Sequence, residues 1–274
     1  MNLKKLATRT ISGVVYCLII IGLILWGETG VMILGGLLAA LACIEFAKIS
    51  HELTPNRIPV IILDIAGCVM LCLSYHGFPL IVWLAIMVAR LVEQLYVKSE
   101  TPLRDLAHSM MSQIYIGLPL GIMVGLSYSY SPALILLLFI LIWINDTGAF
   151  LTGSLVGRHK LFERISPKKT WEGFIGGFIL STGAAALLYF IGLRYYDYFS
   201  GMRDYGIGIW AGLGAVVSIF GTWGDLIESM IKRNLKIKDS GNIIPGHGGI
   251  LDRIDSLLLV LPAALVYLFM ITAK

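Results

Sequence analysis

Four aspartates lie in or beside strongly apolar stretches of the chain, where an ionisable side chain is unusual. Asp146 occurs in WINDTGAF, Asp225 in GTWGDLIES, and Asp252 and Asp255 in GGILDRIDS. A charged residue at the centre of a membrane helix costs about 2.5–3.5 kcal/mol on insertion scales, so each carboxylate needs a structural or chemical reason. Asp64 also lies in an apolar stretch, and we expect it to be a packed or paired polar group.

Three of these acids form a candidate metal site. Asp252 and Asp255 are three residues apart and therefore share one face of a helix. Together with Asp225 they would suit a hard cation such as Mg²⁺, which prefers carboxylate oxygens and usually keeps substrate phosphate in its coordination shell. The alternative is that these acids stabilise helix N-termini or pair with neighbouring Lys and Arg side chains.

Basic residues are grouped in two segments that adjoin apolar runs. Ser166, Lys168 and Lys169 lead into the apolar run that begins at Trp171. Lysines just before a helix start, where backbone N–H groups point outward, favour phosphate binding. The second group consists of Lys232, Arg233, Lys236 and Lys238. Either group also has a simpler explanation, as the positive charge of cytosolic loops or as a contact with anionic lipid headgroups.

A glycine-rich loop, PGHGG at 245–249, precedes the last apolar run. Gly248 and Gly249 let the backbone approach a ligand closely, and the following helix N-terminus favours phosphate oxygens. His247 either binds a ligand, stabilises the loop or has no direct role. A base is not needed for attack by a phosphate monoester, because its second pKa is about 6 and it is largely dianionic at pH 7.

Composition places these residues in a membrane protein. Of 274 residues, 57% are hydrophobic and 14% are charged, whereas a soluble domain carries about 25% charged residues. A membrane-spanning helix needs about 20 mostly apolar residues. We therefore predict an all-α, polytopic integral membrane protein with about nine transmembrane helices. Their approximate limits are 11–26, 30–47, 57–74, 78–96, 110–126, 132–152, 171–192, 207–223 and 250–271.

The distribution of Lys and Arg predicts the orientation. Alternating the two sides along nine spans puts 18 of the 21 basic residues on the N-terminal side. Positive charge favours the cytosol, so we expect a cytosolic N-terminus, an external C-terminus and a location in the inner (plasma) membrane. The loops 153–170 and 224–249 are then cytosolic, and function is expected on that face. The net charge of +4 is modest and does not favour nucleic acid as a partner.

Residues 229–256, SMIKRNLKIKDSGNIIPGHGGILDRIDS, resemble the signature of the phosphatidate cytidylyltransferases, also called CDP-diglyceride synthases. The matching positions are Ser229, Lys232, Arg233, Lys238, Asp239, Pro245, His247, Gly248, Gly249, Asp252, Arg253 and Asp255. SPKKTWEG and NDTGAF are similar to other blocks of the family, so the resemblance covers about 143–260. We accordingly divide the chain into generic membrane helices over 1–126 and a catalytic part over 127–274.

The resemblance implies an enzyme that transfers CMP from CTP to phosphatidic acid, giving CDP-diacylglycerol and pyrophosphate. It also implies Mg²⁺, with a second, monovalent cation nearby, and metal-binding aspartates at positions matching Asp225 and Asp252, with Asp255 close by. Members are often dimers, so a homodimer is expected from the resemblance alone. The expected catalytic residues are Asp225, Asp252, Asp255, Lys232 and Arg233. The expected substrate-binding residues are Asp146, Ser166, Lys168, Lys169, Lys238, His247, Gly248, Gly249 and Arg253.

Three other functions fit the sequence less well. A CTP-dependent polyprenol kinase would also need metal and basic residues, but it would release CDP instead of pyrophosphate. An ion-coupled transporter favours broken helices in both halves and a site at the membrane midplane, whereas these acids cluster in the C-terminal half. A CDP-alcohol transferase needs a DGxxAR-type run, which this sequence lacks.

Overall fold

The computed structural model describes residues 3–50, 58–74, 78–191, 205–246 and 248–272. These residues are mostly helical. The helices are α1 (Leu3–Leu25), α2 (Glu28–Ile49), α3 (Ile58–Leu73), α4 (Phe78–Glu93), α5 (Pro102–Met111), α6 (Leu118–Ser129), α7 (Pro132–Val156), α8 (Trp171–Phe190), α9 (Ile207–Asn234) and α10 (Leu251–Thr272). A π-helical turn, Ser112–Gly117, joins α5 to α6 in one continuous helix.

Six helices of the described chain are long and apolar enough to cross a membrane, which supports the predicted membrane protein. They are α2, the continuous helix Pro102–Ser129, α7, α8, α9 and α10. Thr10–Leu25 of α1 and the helix α3 are shorter apolar helices. The membrane-protein class therefore follows from helix length and composition alone.

A short β-hairpin interrupts the helices where the sequence analysis predicted a loop. The strands β1 (Lys160–Phe162) and β2 (Ser166–Thr170) pair antiparallel, with Lys160 opposite Thr170. The hydroxyl of Thr170 accepts the Gly173 backbone N–H at 3.1 Å and so caps the start of α8. Strand β2 therefore runs directly into α8, and its lysines occupy fixed positions before that helix.

The chain forms two compact units, one of Met1–Tyr128 with Asp239–Arg253 and the other of Ser129–Lys238 with Ile254–Lys274. Residues 239–253 belong to the C-terminal part of the chain in the division predicted from the sequence. In the structure they pack with the first unit, because the buried carboxylate of Glu45 in α2 accepts hydrogen bonds from Ser240 and Leu251.

A buried polar network stabilises the helices of the first unit. Arg90, which has no exposed surface, donates from Nε to the Ser109 hydroxyl at 2.8 Å and forms a 2.9 Å ion pair with Glu93. The Ser109 hydroxyl donates to Asp64 at 2.9 Å. The predicted role of Asp64 as a paired polar group is therefore confirmed.

Close contact between α7 and α8 organises the second unit. A side chain at Gly177 would meet the amide oxygen of Asn145 at 2.7 Å and its backbone oxygen at 2.8 Å. Gly148 likewise faces Gly177, at 3.2 Å from the position of an added Cβ atom. Small residues allow the two backbones to approach, as is common between membrane helices. This contact fixes the positions of α7 and α8, which both carry residues of the candidate active site.

Candidate active site

A cavity of about 510 Å³ lies in the second unit, and four of the predicted site residues line it. These are Asp146, Lys168, Lys169 and Asp225. They come from three elements, namely α7, β2 and α9. The cavity therefore combines two carboxylates with two ammonium groups, which is the chemistry expected for a metal-bound phosphate ligand.

Lys169 and Asp225 form an ion pair at the cavity wall. Lys169 Nζ lies 2.8 Å from Asp225 Oδ2 and also donates to the Thr222 backbone oxygen at 3.4 Å. Ser229, one turn further along α9, donates its hydroxyl to Asp225 Oδ1 at 3.1 Å. The side chain of Asp225 keeps 37% of its surface exposed, so it remains accessible to a ligand.

Asp255 lies where α10 packs closely against α9, next to Asp225. A Cβ atom added to Gly224, the residue before Asp225, would lie 2.5 Å from the Asp255 backbone oxygen. Asp255 is not among the described residues that line the cavity, so its predicted role as a metal ligand stays a prediction.

Two predicted catalytic cations have structural partners instead of a place on the cavity wall. Lys232 Nζ lies 2.5 Å from the carboxylate of Glu228, which has no exposed surface. Arg233 donates from Nε to the Ile165 backbone oxygen at 3.3 Å. Neither residue lines the cavity in the described part of the chain. Their catalytic role stays a prediction.

The base of the hairpin is fixed by Glu172, which sequence reasoning did not select. Its carboxylate accepts the backbone N–H groups of Arg158 and His159 at 3.0 and 3.2 Å, and lies 2.6 Å from His159 Nδ1. The Trp171 N–H donates to the His159 oxygen at 2.9 Å. These bonds close the hairpin and hold β2, with Lys168 and Lys169, beside the cavity.

Asn145 contacts Asp146, the acid that α7 contributes to the cavity. Asn145 is buried, and its Oδ1 accepts the Ser218 hydroxyl at 2.6 Å. Its amide nitrogen donates to Asp146 Oδ1 at 3.4 Å. The Asn145 amide thus bridges Ser218 on α9 and Asp146 on α7.

Asp252 lies in the first unit, where it organises the glycine-rich loop. Its Oδ2 accepts the backbone N–H groups of Ser240 at 2.9 Å and Gly249 at 2.8 Å. Gly248 has a φ of 87°, which favours glycine, and an added Cβ there would lie 2.6 Å from Asp252 Oδ2. The Ile244 N–H donates to the Gly248 oxygen at 3.0 Å, which closes the loop.

The remaining predicted residues are placed as follows. Ser166 begins β2 and is partly buried, while Lys238 and Arg253 are exposed. His247 lies outside the described residues, so its predicted role is not addressed by the structure. Gly249 donates its backbone N–H to the Asp252 carboxylate, and Gly248 packs against the same carboxylate.

The two carboxylates on the cavity wall suit a Mg²⁺ ion that is bound partly by substrate. Among residues the structure describes, no group of three His, Cys, Asp or Glu side chains is arranged to hold a metal ion. Mg²⁺ usually takes one or two carboxylates and completes its shell with water and substrate phosphate. The carboxylates of Asp146 and Asp225 on the cavity wall fit that pattern.

Three supporting residues were not predicted from the sequence, namely Glu45, Asn145 and Glu172. Glu45 carries a usable signal, because it is an ionisable residue inside an apolar helix and has no exposed surface. Asn145 adjoins Asp146 and Glu172 lies in the TWEG segment, but their partners Ser218 and His159 become visible only in the folded chain.

Comparison with known proteins gives consistent matches. The model of the cytidylyltransferase family matches residues 7–271. The phosphatidate cytidylyltransferase of Staphylococcus aureus (strain COL) is 34% identical, over 93% of this chain and 95% of that protein. The phosphatidate cytidylyltransferase of Staphylococcus haemolyticus (strain JCSC1435) is also 34% identical, with the same coverage. That of Staphylococcus saprophyticus is 40% identical, over 64% of this chain and 63% of that protein.

Proposed function

The chain belongs to the cytidylyltransferase family, and we propose that it transfers CMP from CTP to phosphatidate, forming CDP-diacylglycerol and pyrophosphate. It is a membrane-embedded nucleotidyltransferase. The proteins with which it shares 34% identity over 93% of its length are named for this reaction with phosphatidate.

The cavity with its Lys169–Asp225 pair is the observation that supports the proposed site. A triphosphate and a lipid phosphate are both anionic, so repulsion between them is a principal part of the barrier. Lys168 and Lys169 line the same cavity as Asp146 and Asp225. Cations that face the developing negative charge lower such a barrier by electrostatics and by positioning.

The proposed reaction forms one bond and breaks one. A phosphate oxygen of phosphatidate attacks the α-phosphorus of CTP in line, and the bond from that phosphorus to the oxygen bridging the α- and β-phosphates breaks. The electron pair leaves with pyrophosphate, and no general base is required because the attacking oxygen is already ionised. The ammonium of Lys169, 25% exposed, would move from Asp225 towards the phosphates, and Lys168 would hold their outer oxygens.

We propose Asp225, Asp252 and Asp255 as the carboxylates that hold Mg²⁺, with a second, monovalent cation nearby. When bound, Mg²⁺ supplies charge neutralisation and orientation of the phosphate groups. The open carboxylate of Asp225 on the cavity wall supports Asp225 as a ligand. Asp252 and Asp255 are not among the described residues that line that cavity, and their place in the metal site rests on the resemblance. The substrate-binding roles of Ser166, Lys238, His247, Gly248, Gly249 and Arg253 and the catalytic roles of Lys232 and Arg233 remain predictions of the same kind.

We further propose nine membrane crossings with a cytosolic N-terminus and a cytosolic site, in the cell's inner membrane. The placement of 18 of 21 basic residues on one side supports this topology. Alkaline phosphatase fused after Lys274 should be active, because the C-terminus would be external. An inactive fusion that is nevertheless full-length and membrane-bound would contradict the odd number of crossings. A homodimer remains an expectation.

A dual-label assay tests the reaction. Purified protein receives CTP labelled in the α-phosphate or, separately, in the γ-phosphate, with phosphatidate vesicles and Mg²⁺. The α-label should enter extracted lipid and the γ-label should leave as pyrophosphate, only when both phosphatidate and Mg²⁺ are present. Entry of the γ-label into lipid, with release of CDP, would identify a lipid kinase and overturn the proposal.

A further inference from the structure

Glu45 is a buried carboxylate whose partners, Ser240 and Leu251, lie before and after the glycine-rich loop at 245–249. It occupies α2, an apolar helix, and has no exposed surface. Its Oε2 accepts the Leu251 backbone N–H at 2.9 Å and the Ser240 hydroxyl at 3.2 Å. Both donors are themselves buried. A carboxylate in such surroundings is destabilised by the loss of its hydration unless hydrogen bonds compensate.

The same serine links Glu45 to Asp252. While the Ser240 hydroxyl donates to Glu45, the Ser240 backbone N–H donates to Asp252 Oδ2 at 2.9 Å. Leu251, which donates to Glu45, immediately precedes Asp252 in the chain. Glu45 therefore restrains Asp252 in two ways. It fixes Ser240, whose backbone N–H donates to the Asp252 carboxylate, and it fixes Leu251, which precedes Asp252 in the chain.

Packing around Glu45 leaves no room for a side chain at Gly249 or at Gly241. A Cβ atom added to Gly249 would overlap both the Ser240 hydroxyl and the Glu45 carboxylate. One added to Gly241 would overlap the Glu45 carboxylate as well. The chain therefore packs against the buried Glu45 carboxylate at two separate points, Gly241 and Gly249, so that Glu45 anchors the segment between them.

We propose that Glu45 is a positioning residue for the transferase reaction, because its carboxylate oxygen fixes Ser240 and Leu251 and thereby orients Asp252 towards Mg²⁺-bound CTP. This inference rests on the proposed role of Asp252 as a metal ligand. Residues that orient a metal ligand without touching the metal commonly change metal affinity or activity about 10- to 100-fold when they are removed.

Two substitutions at Glu45 separate hydrogen bonding from charge. Glu45→Met fills a similar volume but offers no acceptor to Ser240 or Leu251. Glu45→Gln keeps a carbonyl oxygen for both donors, and its NH₂ replaces Oε1, which has no hydrogen-bond partner among the described residues. Glu45→Met should lower kcat about 10- to 100-fold and raise the Mg²⁺ concentration for half-maximal rate, with a smaller change in KM for CTP. Glu45→Gln should stay close to the native enzyme.

Hydrogen–deuterium exchange supplies a readout that does not depend on turnover. Measured in detergent without nucleotide or Mg²⁺, peptides covering 239–252 should exchange faster in Glu45→Met than in the native chain, and at the native rate in Glu45→Gln. Ser109→Ala is the matched structural control, because Ser109 is a buried residue of the same unit that also makes two hydrogen bonds. It should lower thermal stability without changing the Mg²⁺ dependence or the exchange of 239–252.

The outcomes distinguish this inference from the proposed function. Unchanged exchange over 239–252 in Glu45→Met would overturn the anchoring. Faster exchange with unchanged kcat and Mg²⁺ dependence would overturn the positioning role. A Glu45→Gln variant as impaired as Glu45→Met would overturn the acceptor mechanism in favour of a requirement for charge. If the native chain itself lacked phosphatidate-dependent turnover, the proposed function and the positioning role that rests on it would both fall, while the exchange experiment would still decide the anchoring.

Discussion

Lys169 Nζ lies 2.8 Å from Asp225 Oδ2, and this ion pair joins strand β2 to helix α9 at the wall of the cavity. The two residues reach each other because Thr170 caps α8 and Glu172 closes the base of the hairpin. A cation and a carboxylate are thereby held together on the cavity wall, as the proposed reaction requires.

Removal of the Lys169 ammonium should impair turnover. Lys169→Ala is expected to lower kcat about 100-fold, because the positive charge that would move from Asp225 to the phosphates is lost. Lys169→Arg should be impaired less, since it keeps the charge but not the compact geometry of an ammonium group. The measurement is transfer of α-labelled CMP to lipid.

Lys160→Ala is the control for that experiment, because Lys160 lies exposed in β1 of the same hairpin and does not line the cavity. It should leave turnover near the native rate. Equal losses in the Lys160 and Lys169 variants would indicate that the hairpin's overall charge matters and that the ion pair has no special role.

Loss of the Asp252 charge should abolish turnover without unfolding the loop. In Asp252→Asn the remaining carbonyl oxygen can accept the N–H groups of Ser240 and Gly249, as Oδ2 does in the native chain. The side chain is then a much weaker ligand for Mg²⁺. We expect at least about a 100-fold lower kcat, with native exchange over 239–252.

Glu163→Gln provides the comparison for that variant, since Glu163 is an exposed acid in the turn between β1 and β2. Its turnover should be native. Turnover retained by Asp252→Asn would remove Asp252 from the metal site, whatever the control shows.

The contact of α7 with α8 should tolerate no side chain at Gly177. Gly177→Ala places a methyl group 2.7 Å from the Asn145 amide oxygen and 2.8 Å from its backbone oxygen. Overpacking of this kind typically costs about 1–3 kcal/mol, so the midpoint of thermal unfolding in detergent should fall. Turnover should fall too, because Asn145 adjoins Asp146 at the cavity.

Gly183→Ala is the matched control on the same helix, since no atom lies within 4 Å of an added Cβ there. Its unfolding midpoint should be native or slightly higher, because alanine favours a helix over glycine. A Gly177→Ala variant as stable as Gly183→Ala would show that the two helices separate at little cost.

Arg90 should be indispensable to the first unit. Arg90→Met leaves the carboxylate of Glu93 and the Ser109–Asp64 pair without the guanidinium group that now bonds to them. Removing one partner of a buried charged network typically costs about 3–5 kcal/mol. We expect a much lower yield of folded protein, measured by size-exclusion chromatography and thermal unfolding.

Arg104→Ala serves as its control, because Arg104 is exposed on α5. It should fold with native yield. Native stability of Arg90→Met would mean that the network is replaced by water or by repacking at no net cost.

The sequence allowed several residues of the site to be identified but not their contacts. Asp225 was selected because an acid at the end of an apolar run is costly, and Lys169 because lysines before a helix start favour phosphate binding. That they pair depends on the hairpin, whose strands of three and five residues are too short to give a clear alternating pattern. Glu45 is recognisable as an acid inside an apolar helix, but its role was not, because its partner Ser240 is 195 residues away in the chain.

Hydropathy and residue type, which are local properties of the chain, determined that this is a helical membrane protein and which acids and bases it has available for phosphate chemistry. Tertiary structure decided which of them meet. It pairs Lys169 with Asp225, turns Lys232 towards the buried Glu228, and ties Asp252 to Glu45 through Ser240. Such pairings are set by the approach of distant segments, which depends on close packing at residues such as Gly177 and Gly249 and not on the composition of either segment alone.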